Sequence, residues 1–153
     1  MIDVPTLLLS DVAKAAQIDL GLLRQWVSRG NLPLSQKDRQ EGLRVVTIRT
    51  GYIIAIAARL VEHGIAISRA ATAAWAAADD WEEKDLYLVL YTTEERQDRK
   101  PNPTEARVSL YPDTESLTKA VLEGDTVQTV VNCRKIIEDF DANRLSFPQG
   151  SVA

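Results

Sequence analysis

Apolar residues recur through the first half of the chain at helical spacing, interrupted by residues that stop helices. Leu9, Val12, Ala13 and Ala16 lie three and four apart, which predicts a short first helix opened by Ser10, with Asp11 near the positive end of its dipole. Asp19 then caps a second helix, whose apolar side is Leu22, Leu23, Trp26 and Val27 and whose stop is Gly30. Two short helices joined by a turn of three or four residues form a helix-turn-helix pattern. Beyond it come Leu32-Pro33-Leu34, a polar stretch from Ser35 to Glu41, Gly42, and the β-branched run Leu43 to Thr47. These predict a hairpin with Gly42 near its tip, a wing following the second helix. Thr47 or Thr50 caps a third helix reaching about Glu62 and closed by His63-Gly64. Its apolar residues Tyr52, Ile53, Ile54, Ile56, Ala57, Leu60 and Val61 cover most of the circumference, as in a central core helix. Ile67-Ser68 opens a fourth helix, Arg69 to about Trp81, whose alanines permit close packing and whose Trp75, Ala78 and Trp81 lie near one face, able to seal a core or a dimer contact.

The second half has a different rhythm. Asp79 to Asp85 is an acidic junction without metal-ligand spacing, read as a solvated linker. Leu86 to Tyr91 is a nearly continuous apolar run and predicts a buried strand, and Thr93 to Thr104, with Lys100-Pro101-Asn102-Pro103, predicts a loop. Ala106, Val108 and Leu110 alternate with polar neighbours in a second strand, able to pair with the first. Asp113 or Thr114 caps a helix with Leu117, Ala120 and Val121 on its apolar side, stopped by Gly124. A third strand, about Thr126 to Val131, leads to a last helix with Cys133, Ile136, Ile137 and Phe140 on one side. The order ββαβα describes a small α/β unit whose right-handed crossover sets a helix over the sheet. At roughly 65 residues such a unit is marginal alone and is expected to pack on the head or on a second copy.

Composition narrows the function. The chain has 153 residues, 45% of them hydrophobic and 26% charged, which is globular composition for one average domain or two small ones. One cysteine, Cys133, rules out an intramolecular disulfide and a Cys-rich zinc module. Met1 to Leu9 has no cationic region ahead of its short apolar run, and Tyr52 to Val61, interrupted by Arg59, is too short to span a bilayer, so a cytoplasmic protein is expected with no membrane contact. The only histidine, His63, falls at a helix end with no partnered nucleophile, and neither a Walker-type loop nor a GxGxxG run is present. No enzyme activity, cofactor or metal is expected.

The net charge of −4 is the sum of two unlike parts. Residues 1–75 carry nine basic against six acidic residues, a net of +3, and the remainder is −7. Residues 20–59 alone carry seven basic residues against Asp38 and Glu41. Such an asymmetry suits a polyanion-binding face or a basic solvated surface. On the second helix Gly21, Arg24, Gln25 and Ser28 fall at i, i+3, i+4 and i+7, one polar stripe. Arginine bridges guanine O6 and N7, glutamine pairs with adenine N6 and N7, serine reaches a base or a phosphate, and glycine permits close approach. The same stripe also suits an ordinary solvent face. In the wing, Lys37, Arg39 and Arg44 are set to hold phosphates or to enter a minor groove.

The run Leu9-Ser10-Asp11-Val12-Ala13-Lys14-Ala15-Ala16, then Ile18-Asp19, Leu23 to Pro33 and Gly42-Leu43-Arg44, resembles the winged helix-turn-helix head of the MerR family of bacterial transcription regulators. Excisionase-type phage proteins are related to that head. The resemblance covers about residues 7–70. It implies that Arg24 is directed at DNA, that Trp26 stands for the aromatic two residues later, and that Gly30-Asn31-Leu32-Pro33 is the exit turn. Leu43 stands where family members carry an aromatic just after the wing glycine. The heptads of the family's dimerising helix and the cysteines of its metal sensors are both missing.

The expected protein is therefore α+β: an N-terminal winged helix-turn-helix helical head over residues 1–80, followed by a small ββαβα dimerisation or effector domain over 81–153. Its expected function is that of a sequence-specific regulator on double-stranded DNA, acting as a homodimer on an inverted repeat. The DNA-binding candidates are Lys14, Asp19, Gly21, Arg24, Gln25, Ser28, Arg29, Lys37, Arg39 and Arg44. Two other readings stay open: a protein-interaction module such as an adaptor or antitoxin, and an excisionase-like architectural protein. A small-molecule or protein effector at the C-terminal domain, with Tyr87, Tyr91 or the Trp75 and Trp81 pair lining a pocket, is a further expectation.

Overall fold

The fold begins with a strand that the hydrophobic periodicity does not announce. β1 (Pro5–Leu8) pairs antiparallel with β2 (Val45–Thr47) in a two-stranded sheet. The computed structural model describes residues 5–32, 34, 38–39, 44–79, 87–91, 107–123 and 127–146. The chain is an α+β protein, mostly helical, with six helices and two small antiparallel sheets among these residues. The partner of β2 is thus β1, some forty residues away, and Leu32 and Leu34 lie outside any strand. The pairing buries Leu7 and Val46 together, closing one end of the core. The turn expected at Gly42 lies outside the described residues.

From β1 the chain passes directly into α1 (Leu9–Ala15), whose cap lies two residues ahead of the expected Ser10. Leu8 occupies the cap position without a side-chain hydrogen bond. None is needed at the first turn's leading amide, because Leu9 N–H donates to the Arg44 carbonyl at 3.0 Å. Asp11 lies in the first turn and Lys14 in the last, each complementing the helix dipole. The turn that follows uses Gln17 at φ +58, in the left-handed region. α2 (Leu20–Ser28) opens as expected, with Asp19 Oδ2 accepting from Leu22 N–H at 2.9 Å, and the chain leaves it through Gly30 at φ +69.

α3 (Ile48–Glu62) is the central helix: Thr50 to Ala58 and Leu60 are all buried. Thr47 caps it, its Oγ1 accepting from Thr50 N–H at 3.1 Å, and Gly64 at φ +88 ends the turn behind it. α4 (Ile67–Asp79) packs along α3 through Ala70, Ala71, Ala73, Ala74, Ala77 and Ala78, whose small side chains allow the close approach. Trp81 lies outside the described residues. Trp75 is half-buried, with the Arg49 guanidinium over its ring at 5.2 Å, so that pair ties α3 to α4.

The second sheet has the order β4-β3-β5, built from β3 (Tyr87–Tyr91), β4 (Arg107–Tyr111) and β5 (Val127–Asn132). Both outer strands run antiparallel to β3, with Leu88 opposite Leu110 on one side and Val131 on the other. α5 (Thr114–Glu123) makes the crossover between the outer strands, opened by Asp113 Oδ1, which accepts from Ser116 N–H at 2.6 Å. These hydrogen bonds hold the Asp113 carboxyl below its ordinary range. The apolar side expected for α5 is not buried: Leu117 and Ala120 are half-covered, and Val121 and Leu122 are exposed.

α6 (Cys133–Ser146) follows β5 without a loop and turns back onto the head. It buries Cys133, Ile137 and Phe140, and one continuous cluster joins them to Leu88, Val131, α3 and α1. Burial pushes the Cys133 thiol up to about 12, which makes it a packing group. Phe140 meets Tyr52 edge to face at 5.8 Å, and the Tyr52 hydroxyl donates to Asp141 Oδ2 at 2.9 Å. Asn143 Nδ2 donates to the Ala15 carbonyl at 3.0 Å, fastening α6 to the last turn of α1. Gly51 makes the seam possible, since a Cβ there would lie 2.8 Å from Phe140 Cζ.

Candidate nucleic-acid interface

The second helix presents two unlike sides because of where its residues fall. Leu23 and Trp26 are buried, and Leu20 and Val27 pack partly against the same core. Gly21, Arg24, Gln25 and Ser28, the stripe singled out by spacing, are all exposed. Ser28 Oγ donates to the Gln25 carbonyl at 3.1 Å, closing the last turn and leaving the hydroxyl oxygen able to accept. Arg29 is exposed at the C-cap, with φ −83 and ψ 0.

Asp19 acts on the helix itself, its carboxylate satisfying the Leu22 amide. Gly21 belongs to that cap: a Cβ there would lie 2.8 Å from Asp19 Oδ2. The glycine therefore has a local reason besides close approach to a ligand. Leu22, grouped by periodicity with the apolar side, is instead 39% exposed. It stands three and seven residues before Gln25 and Arg29, a stripe that the helical wheel shows once Leu23 and Trp26 are known to point inward.

The remaining candidate cations lie outside α2. Lys14 is exposed in the last turn of α1, which packs on α2. Arg44 is exposed immediately before β2 and fixed through its carbonyl to Leu9 N–H. Arg39 is exposed beside Asp38, which is wholly buried; both are helical, where the sequence predicts the hairpin of the wing. Asp38 Oδ1 accepts from Thr47 N–H at 2.9 Å and Oδ2 from Thr50 Oγ1 at 2.7 Å, so the backbone at Arg39 is pinned to the start of α3. Lys37 lies outside the described residues.

None of Lys14, Arg24, Arg29, Arg39 and Arg44 makes an ion pair with a described residue, whereas Arg59 is paired with Glu62 at 3.0 Å and Arg49 stacks on Trp75. Exposed cations that make no ion pair with a described residue can attract phosphates without first breaking such a bond.

Elsewhere the described residues form a cleft of about 170 Å³ between the end of α1, α3 and α6, lined by polar groups including Arg59, Asp139 and Asn143. No three His, Cys, Asp or Glu side chains among the described residues are grouped so as to hold a metal. No helix there is long and apolar enough to cross a membrane. No family model matches the chain, and no curated protein is found to be similar to it.

Proposed function

We propose that this chain is a sequence-specific double-stranded DNA-binding transcriptional regulator of the MerR type, acting as a homodimer on an inverted repeat through a winged helix-turn-helix head. The observation that carries the reading is α2: Leu23 and Trp26 anchor it in the core while Gly21, Arg24, Gln25 and Ser28 face solvent in one stripe. The resemblance of residues 7–70 to the MerR head supports the same assignment.

In this reading α2 enters the major groove, and Arg24, Gln25 and Ser28 meet base edges. Lys37, Arg39 and Arg44 hold flanking phosphates and set the register without reading sequence. Two heads related by a two-fold axis read half-sites whose centres lie about one helical turn, ~34 Å, or a multiple of it apart. The acidic remainder of the chain repels phosphates and so holds down non-specific binding.

Selection of bound duplexes from a random pool by the purified full chain tests this directly. The expected product is an inverted repeat. Recovery of no motif at low salt overturns the proposal in favour of a protein-interaction module.

A further inference from the structure

We infer that Leu22 is a specificity residue that reads the 5-methyl group of a thymine in the major groove; the inference rests on the DNA-binding reading above. Leu22 sits in the first turn of α2 and is 39% exposed, although Leu23 beside it is wholly buried. Its backbone is fixed, since its N–H is the one bonded to the Asp19 cap. The side chain therefore projects from a rigid point on the outward side, one turn ahead of Gln25 and on the same stripe as Gln25 and Arg29.

Exposed leucines are common on protein surfaces, and position is what distinguishes this one. The N-terminal residues of a recognition helix are those that contact base edges. On those edges the major groove offers a single apolar group, the thymine methyl. Against the oxygen and nitrogen acceptors of guanine or the amine of cytosine, a leucine would displace water and return no hydrogen bond. Against thymine it buries a methyl. Gln25 is suited to the N6 and N7 of adenine, whose partner base is thymine, so Leu22 and Gln25 together favour A·T pairs at neighbouring positions of the half-site.

The test uses the best duplex recovered by selection, resynthesised with each thymine replaced in turn by uracil, which lacks only the methyl group. At one thymine per half-site, wild-type affinity is expected to fall about fourfold, the value of one buried methyl. The Leu22→Ala variant is expected to bind the thymine and uracil duplexes equally, with its thermal midpoint showing that the fold is intact. If no uracil substitution weakens the wild type, or if Leu22→Ala keeps the wild-type sensitivity, the inference is overturned and the DNA-binding assignment stands. If selection yields no motif, both fall.

Discussion

Asp38 and Thr50 are joined by a 2.7 Å hydrogen bond inside the protein, from the threonine hydroxyl to a carboxylate that is 0% exposed. The other carboxylate oxygen takes the Thr47 amide, and Thr47 Oγ1 donates to Thr50 Oγ1 at 3.1 Å. An anion at the N-terminus of α3 is favoured by the helix dipole, and here it also satisfies donors that have no water to turn to. Asp38→Ala strands those donors and is expected to lower stability by about 3 kcal/mol in urea unfolding. Thr50→Val, which removes the bond to Asp38 Oδ2 and the one accepted from Thr47 Oγ1 but leaves the Thr47 amide paired, should cost about half as much.

Gly51 and Phe140 make the second structural test. Alanine at 51 gains about 1 kcal/mol of helix propensity, but its Cβ would fall 2.8 Å from Phe140 Cζ and 3.3 Å from Leu7 Cδ1. The clash should win, leaving Gly51→Ala destabilised by about 1–2 kcal/mol net. Combining it with Phe140→Leu is expected to recover much of that loss, a non-additivity that a double-mutant cycle would reveal.

The proposed DNA contacts are expected to separate by their salt behaviour. Arg24→Ala is expected to lose about 1–3 kcal/mol on the selected site and to relax preference at one base pair. Arg39→Ala is expected to weaken all sequences alike and to reduce the slope of log K against log salt by about 1. A gel-shift series at several salt concentrations distinguishes the two. Unchanged affinity for Arg24→Ala would remove that residue from the interface.

Alkaline pH should act on the seam between α3 and α6. Burial first, then the hydrogen bond to Asp141, pushes the Tyr52 phenol from 10.0 up to about 12. Because the folded value lies above the unfolded one, the stability linked to its proton is complete below about pH 10 and is lost as pH rises through 12. Spectroscopic titration should show one tyrosine ionising after the others, together with loss of structure, and Tyr52→Phe should remove that late step.

The parts of this fold legible in the sequence are those determined within a few residues. Asp19 caps α2, Thr47 caps α3, and Gly30 and Gly64 take the positive φ that their turns require, all within reach of a local pattern. β1 was hidden because its reason to be a strand is β2, far along the chain, and Leu7 to Leu9 reads equally well as the start of a helix. Asp38 counted in the sequence only as a charge among basic neighbours; its partners Thr47 and Thr50 are nine and twelve residues on. Within the candidate interface the polar stripe was legible from its spacing. Leu22 was misplaced because periodicity groups apolar residues without telling which edge of the group the core covers.

The bond from Asn143 to the Ala15 carbonyl and the ring of Phe140 over Gly51 place the last helix under the first and third. A chimera that grafts residues 1–80 onto a foreign oligomerisation module would carry α1 to α4 away from part of their own foundation. Such a fusion would expose the apolar sides of α1 and α3 that the last helix covers, and the hybrid would need residues 133–146 supplied alongside, in cis or as a peptide, to fold as the full chain does.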